Sequence, residues 1–277
     1  MSEDQRRSRT PKDAAHRVAV LGAFTLTAPT GPVALGADAR RLVAYLAVHP
    51  RPQHRDALAA DLWPGLAVPA ARRLLDEAVT AVDVPGLVVD GPDGTLALGP
   101  DVAVDLTEAL ALVRALPALP GTEDVDLAPL DDDILPGWTA GWIAVERERF
   151  RQLRLHAVEE RSARLSAAGR HDEAVAVARR AVRTAPSRES ARRAVVTALL
   201  AAGDIAGALD EQDAYQELLR SSVGAAPPFG SLLPPAPAWP VVRARAVMPR
   251  SPVQLPGLRS VRSAGGRRLV TGGSSRH

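Results

Sequence analysis

Two stretches of the chain match at a fixed spacing: LSAAGRHDEA at residues 165–174 and LLAAGDIAGA at residues 199–208. Gly169 and Gly203 lie 34 residues apart, and an alanine follows each glycine five residues later. A glycine between two helix-favouring segments permits a tight turn, and the small alanine lets paired helices approach closely. The two stretches therefore predict successive antiparallel helix pairs.

The helical pattern extends outward over residues 138–220, which predict four consecutive helices. A period of about 34 residues is that of tetratricopeptide (TPR) repeats, each a helix–turn–helix. The first predicted helix carries apolar residues on two sides, with Phe150 and Leu153 on one of them, as a helix packed between neighbours requires. Its charged residues, at 146–149 and 159–161, are interpreted as solvated surface. An ordinary helical bundle is the alternative to a repeat.

The N-terminal half has a different pattern, in which short β-type segments flank three helical ones. Strand patterns occupy residues 18–26 and 33–35. The predicted helices cover residues 38–48, 54–62 and 69–82. Apolar segments at 87–89 and 95–98 flank DGPDG, which predicts a β-hairpin with a five-residue loop. Strands, three helices and a hairpin in this order are typical of a winged helix-turn-helix.

We therefore predict a mainly α protein, in which an N-terminal α+β winged helix-turn-helix precedes a TPR-like α-helical repeat domain. The predicted segments are a disordered N-terminus at 1–16, the winged helix at 17–106, a linker with the TPR-like region at 107–224, and a disordered Pro- and Arg-rich tail at 225–277. Residues 117–137 are rich in proline and acidic residues and are predicted to be the linker. We expect the helical half to fold without the winged half, because repeat proteins make mostly local contacts.

The composition excludes several classes of protein. The chain has no cysteine, so disulfides and thiolate metal sites are excluded. It has no uninterrupted apolar run of about 18 residues, and its N-terminus is polar and Arg-rich. These features predict a cytoplasmic protein that does not contact a membrane.

No motif of an enzyme, cofactor site or metal site stands in the sequence. It contains neither a P-loop nor a His-Glu-x-x-His pair, and the six histidines are scattered. His171 stands beside Asp172 and Glu173, which we interpret as a helix start, where acidic residues favour the positive end of the helix dipole. We therefore expect no enzymatic activity, no cofactor and no metal.

The net charge of +2 hides an uneven distribution. Residues 225–277 hold eight arginines and no acidic residue, whereas residues 18–224 carry a net charge of −8. Residues 18–106 have six arginines against ten acidic residues, a net charge of −4. Because DNA affinity comes largely from neutralising phosphates, this balance is unfavourable for DNA binding by the winged half alone.

Both halves nevertheless contain stretches of sequence that resemble one family, the SARP-type regulators of antibiotic pathways in actinobacteria. The matching stretches are RLVAYL at 41–46, HRDAL at 54–58, LWP at 62–64, VDL at 104–106, LPGW at 135–138, ERER at 146–149 and GRHDEA at 169–174. Proteins of this family join a winged helix to a bacterial transcriptional activation domain of TPR-like helices. The resemblance covers roughly residues 18–224.

The resemblance implies sequence-specific binding of double-stranded DNA and control of transcription. It also implies that the helical half contacts protein, either RNA polymerase or a second copy of the chain in a homodimer. In winged helices the third helix enters the major groove. The candidate DNA contacts on that helix are Arg72, Arg73 and Thr80. Arg51, His54 and Arg55, in the preceding loop and the second helix, would approach the phosphates; Arg40 and Arg41 are weaker candidates.

The acidic residues of the third helix leave a second interpretation open. Asp76, Glu77 and Asp83 follow the two arginines of this helix and would repel phosphates. The alternative is a protein-interaction module whose degenerate winged helix does not bind DNA.

Overall fold

The computed structural model describes residues 16–223 and 231–233. The N-terminal segment predicted to be disordered lies almost wholly outside the described residues, as does most of the predicted tail. No helix of the described part is long and apolar enough to cross a membrane.

The N-terminal half has the predicted order of elements. In chain order these are β1 (His16–Ala19), β2 (Thr25–Ala28), β3 (Gly31–Pro32), α1 (Ala37–Val48), β4 (Gln53–His54), α2 (Arg55–Leu62), α3 (Val68–Ala81), β5 (Val88–Asp90), β6 (Thr95–Leu98), β7 (Val102–Val104) and α4 (Asp105–Ala115). The strands and helices of a winged helix are therefore confirmed, with boundaries within a few residues of those predicted.

Two small sheets flank the three helices. The four-stranded sheet has the order β3-β2-β1-β7, with β1 antiparallel to β2 and parallel to β7. The three-stranded sheet has the order β4-β6-β5 and is antiparallel. Strands β5 and β6 form the predicted hairpin, and its turn has φ angles of 61° at Asp93 and 69° at Gly94. Aspartate and glycine are among the residues that accept such angles most easily. This hairpin is the wing.

Helices α1, α2 and α3 enclose one apolar core. Its main side chains are Leu42, Leu46, Leu58, Leu62, Leu75 and Leu96. The Tyr45 hydroxyl donates a 2.6 Å hydrogen bond to the carboxylate of Asp61 and so joins α1 to α2. The ring of Trp142, from the helical half, lies 5.0 Å from the Tyr45 ring between centroids. Trp142 is thus a packing residue that contacts the core of the winged half.

The helical half consists of two helix pairs with repeated geometry. Its helices are α5 (Gly141–Ala167), α6 (His171–Thr184), α7 (Glu189–Ala202) and α8 (Ile205–Val223). Gly169 and Gly203 adopt left-handed φ angles of 78° and 82°. After each glycine, one backbone N–H donates a 2.9 Å hydrogen bond to a leucine carbonyl, from Arg170 to Leu165 and from Asp204 to Leu199. This is a glycine-dependent helix ending of the Schellman type, made twice, and it confirms the repeat.

The segment predicted to be a linker is instead packed onto the helices. We call residues 117–137 the strap. Its Leu127, Leu130, Ile134 and Leu135 are buried in the main apolar core. The prediction failed here because the prolines and acidic residues of the strap match a solvated linker in composition, while its few apolar side chains near the C-terminal end are buried.

The two halves share that core. It runs without interruption from Val18 and Leu26 of the four-stranded sheet, through α4 and the strap, to Ile143 and Phe150 of α5. The backbone joins them as well, because Leu135 N–H donates a 2.9 Å hydrogen bond to the Val20 carbonyl. The expectation of an independently folding helical half is therefore revised, since its longest helix completes the core of the winged half.

A short piece of the predicted tail is docked on α8. Leu232 is buried against α7 and α8, and its backbone N–H donates a 2.7 Å hydrogen bond to the Gln212 side chain. The sequence did not indicate this contact, because two adjacent leucines in a proline-rich stretch have no helical or strand periodicity.

Candidate nucleic-acid interface

Helix α3 has one buried face and one solvent-facing side. Ala71, Leu75 and Ala78 are buried at the three- and four-residue spacing of a helix stripe. The opposite side presents Arg73 and Glu77, among other polar residues, to solvent. This polar side is the surface that a winged helix would offer to the major groove.

Arg55 lies at the meeting point of α2, α3 and the wing. Its guanidinium donates a 2.8 Å hydrogen bond to Asp76 of α3 and forms a second ion pair with Asp90 at the end of β5. The Arg55 side chain is only 16% exposed, whereas both carboxylates are largely exposed. Arg55 therefore holds α3 against the wing, and a DNA phosphate would have to compete with two carboxylates for it.

The two arginines at the start of α3 are also paired, but more loosely. Arg72 donates a 2.9 Å hydrogen bond to Asp56 of α2, and Arg73 lies 3.9 Å from Glu77 one turn along α3. Exposed ion pairs of this kind are worth only about 0–1 kcal/mol, because water screens both charges. Phosphate oxygens can replace these carboxylates at little cost in free energy.

The other two residues predicted near this surface are exposed. The Thr80 hydroxyl donates a 2.9 Å hydrogen bond to the Asp76 carbonyl, a local contact typical of threonine in helices. His54 ends β4, where it pairs with Thr95 of the wing strand β6. The structure thus places His54 beside the wing and Thr80 one turn beyond Asp76.

Arg51 stands apart from this group. It lines a cavity together with residues of α4 and α5, between the winged half and the helical half. The weaker candidates Arg40 and Arg41 are engaged within the protein. Arg40 lies over the Trp138 ring, 5.7 Å from its centroid, and Arg41 donates a 3.4 Å hydrogen bond to the Leu62 carbonyl.

Three arginines of α5 donate hydrogen bonds to the strap, a contact that the sequence analysis did not predict. Arg147 donates to three carbonyls near the end of the strap, including that of Ile134 at 2.8 Å. Arg154 and Arg161 are both 2% exposed and donate to further strap carbonyls. The sequence did contain a sign of this contact, because arginines seven residues apart lie on one face of a helix and can hold the same neighbouring segment. Two of these arginines fall in the segments that we interpreted as solvated surface.

The acidic residues near His171 form a helix start, as predicted. Helix α6 begins at His171, and Asp172 and Glu173 lie in its first turn. Within the described residues, no group of three or more histidine and acidic side chains is arranged to hold a metal ion.

Two comparisons with known proteins agree with this architecture. Residues 102–229 match the family model of the bacterial transcriptional activator domain. The fold is similar to that of Mycobacterium tuberculosis EmbR, whose structure was solved in complex with a low-affinity phosphopeptide, with a TM-score of 0.56 and 21% sequence identity. The similarity covers 77% of this chain and 62% of that one, so the match spans less than two thirds of the EmbR chain. No curated protein matches significantly.

The chain thus has a winged-helix-like region followed by a helical region that matches the bacterial transcriptional activator domain. The match over residues 102–229 agrees with the helical part of the resemblance seen in the sequence.

Proposed function

We propose that this chain is a SARP-type transcriptional regulator that binds double-stranded DNA in the cytoplasm, with α3 in the major groove and the wing beside it. The observation that carries the proposal is the order of domains, a winged helix joined through a shared core to a bacterial transcriptional activator domain. Its TPR-like helices would contact protein, either RNA polymerase or a second copy of the chain. Arg72 and Arg73 would contact base edges and phosphates near the start of α3.

The carboxylates around these arginines set the strength of binding. Asp56, Asp76 and Asp90 are each paired with an arginine of the candidate surface. DNA must displace them, and their charge then lies close to phosphates. We therefore expect weak binding that falls steeply with salt, strengthened by the arginines of residues 225–277.

The test is a salt-titrated binding assay of the full chain on genomic and random-sequence DNA. Replacing Arg72 and Arg73 with alanine should remove the sequence preference and lower the salt slope by about one for each lost phosphate contact. The matched control is Arg179→Ala with Arg183→Ala, which removes the same charge from exposed positions of α6 in the other half. This control should retain the preference.

A second pair of variants tests the inhibitory carboxylates. Asp76→Asn frees one partner of Arg55 and removes a negative charge facing the groove, so affinity should rise. Asp83→Asn, an exposed residue just beyond α3, should change affinity less because it contacts none of these arginines. If the intact protein binds no genomic fragment even at low salt, the winged helix is not a DNA reader. The protein-interaction module then becomes the correct interpretation.

A further inference from the structure

A cavity of about 480 Å³ opens between the winged half and the helical half. Its walls come from the end of α1 and the loop that follows it, from α4, and from α5. The volume lies within the range of small-molecule sites, which is about 300–1,000 Å³. None of the residues that pair across the candidate DNA surface, such as Arg55 and Arg72, lines this cavity.

The inner wall of the cavity is apolar. Val48, Leu106, Ile134 and Phe150 line it and are each buried, with exposed fractions of 6% or less. Leu153 also lines the cavity but is 42% exposed, which is unusual for a leucine next to a core. Such a wall favours a ligand with an apolar body, because covering the wall with that body removes apolar surface from water.

The rest of the lining is cationic. Arg51, Arg114 and Arg149 line the cavity against a single carboxylate, that of Glu146. Glu146 lies 3.8 Å from Arg149, at the long limit of an ion pair, and the Arg149 side chain is 71% exposed. The balance of charge around the cavity is therefore positive.

Two of these arginines have no counter-ion among the residues that the structure describes. Within residues 16–223 and 231–233, no carboxylate lies within 4 Å of the guanidinium of Arg51 or Arg114, and neither side chain donates a hydrogen bond. Most other arginines of the described chain are held by carboxylates or carbonyls, as Arg55, Arg154 and Arg161 are. Unpaired guanidinium groups beside an apolar wall are suited to a carboxylate or phosphate, which they can bind through two parallel hydrogen bonds.

We propose that this cavity binds a small organic anion with an apolar body and one carboxylate or phosphate group. The body lies against Leu106, Ile134 and Phe150, and the anionic group lies between Arg51 and Arg114. Binding of such an anion does not require that the winged helix bind DNA.

Isothermal titration calorimetry of the full chain, without DNA, tests this site with naphthoate, naphthyl phosphate and the neutral naphthamide. We expect one saturable site for at least one of the two anions, and weaker binding of naphthamide. The comparison of the two anions shows which acid group the site prefers. Replacing Arg51 and Arg114 together with alanine should weaken anion binding about tenfold or more and leave naphthamide binding unchanged.

Two further variants keep the test specific. Arg179→Ala with Arg183→Ala removes two exposed arginines elsewhere, so it should bind like the unaltered chain. Leu153→Trp places an indole at a partly exposed position of the lining and should abolish binding of all three probes, while circular dichroism shows that the fold persists. The proposal is overturned if neither anion saturates, if the variant lacking Arg51 and Arg114 binds both anions as the unaltered chain does, or if Leu153→Trp binds normally.

Discussion

The carboxylate of Asp105 accepts a 2.9 Å hydrogen bond from the backbone N–H of Val20, which lies 85 residues earlier in the chain. The same carboxylate accepts hydrogen bonds of 3.0 Å from Leu21 N–H and 2.7 Å from Leu106 N–H. One side chain at the start of α4 therefore fixes the end of β1. This strand carries Val18 into the shared core, and Val20, the residue after the strand, is buried there as well.

Replacing Asp105 with alanine should destabilise the protein by about 2–3 kcal/mol, because it leaves partly buried N–H donors without an acceptor. Urea unfolding of the full chain measures this loss. The matched control is Asp83→Ala, an exposed carboxylate after α3, which should change the free energy of unfolding by less than about 0.5 kcal/mol. Equal stability of the two variants would show that Asp105 does not hold β1.

The two tyrosines of the chain should resist ionisation in the folded state. Burial raises the pKa of Tyr45, and its hydrogen bond to Asp61 raises it further; burial also raises the pKa of Tyr215. In an unfolded chain tyrosine has a pKa of about 10. The protonated tyrosines therefore contribute their full share of the free energy of unfolding below about pH 10. This contribution is lost as the pH rises through their folded-state pKa values.

Absorbance of tyrosinate should accordingly appear in one step with alkaline unfolding, rather than as a gradual titration near pH 10. Tyr45→Phe should flatten the fall in stability above about pH 10, because it removes one group with a raised pKa. Titration of both tyrosines in a protein that still has its native circular dichroism would contradict these pKa shifts.

Gly169 should be needed for its backbone angle alone. It has φ of 78°, and a Cβ added there meets nothing within 4 Å. Gly169→Ala should therefore cost about 1–2 kcal/mol, the penalty of a left-handed angle for an ordinary residue. Gly141, the first residue of α5, is equally open but has no positive φ. Gly141→Ala should be neutral or stabilising by up to about 1 kcal/mol, and thermal unfolding compares the two variants.

Local patterns in the sequence were enough to predict the elements of both halves. The glycines at 169 and 203 indicate where helices end, because few other residues accept that backbone angle, and the spacing between them gives the repeat. The turn DGPDG between two apolar segments predicts the wing for the same reason. Each of these signals depends on residues close together in the chain.

Contacts between distant residues were not predictable in this way. The strap has the composition of a solvated linker, and nothing in it marks the carbonyls that Arg154 and Arg161 bind. The pairing of Arg55 with Asp76 and Asp90 depends on the angle between α3 and the wing, which no local pattern gives. The cavity beside Arg51 is formed by residues of α1, α4 and α5, which are far apart in the sequence. The sequence analysis could therefore place Arg51 only at the DNA surface.

The shared core leads us to expect cooperative unfolding of both halves together. Phe150 and Ile143 of α5 are buried in the same core as Val18 and Leu26 of the N-terminal sheet. A fragment of residues 134–224 would expose this side of α5 to water. We expect the fragment to show lower helicity than α5–α8 have in the full chain, and to melt less cooperatively. Circular dichroism of both compares them, and a cooperative, fully helical fragment would instead support separate domains.

Arg154 should be the most important single anchor of the strap. Its side chain is 3% exposed and donates a 3.1 Å hydrogen bond to the Leu130 carbonyl, with further contacts to the Asp132 carbonyl and the Asp133 carboxylate. Burial lowers the pKa of this guanidinium while Asp133 raises it, so the nearby carboxylate offsets part of the cost of burying the charge.

Arg154→Met keeps most of the volume but removes every donor. Arg151 still holds Asp133 at 2.7 Å, so we expect a loss of about 3 kcal/mol, at the low end for breaking a buried ion pair. Hydrogen exchange should rise mainly across residues 117–137, because the carbonyls there lose their partner. Arg149→Met, on the exposed side of the same helix, should leave both stability and exchange unchanged within about 0.5 kcal/mol. If Arg154→Met exchanges like the unaltered chain, the buried leucines of the strap and its hydrogen bonds to Arg147 and Arg161 hold it without Arg154.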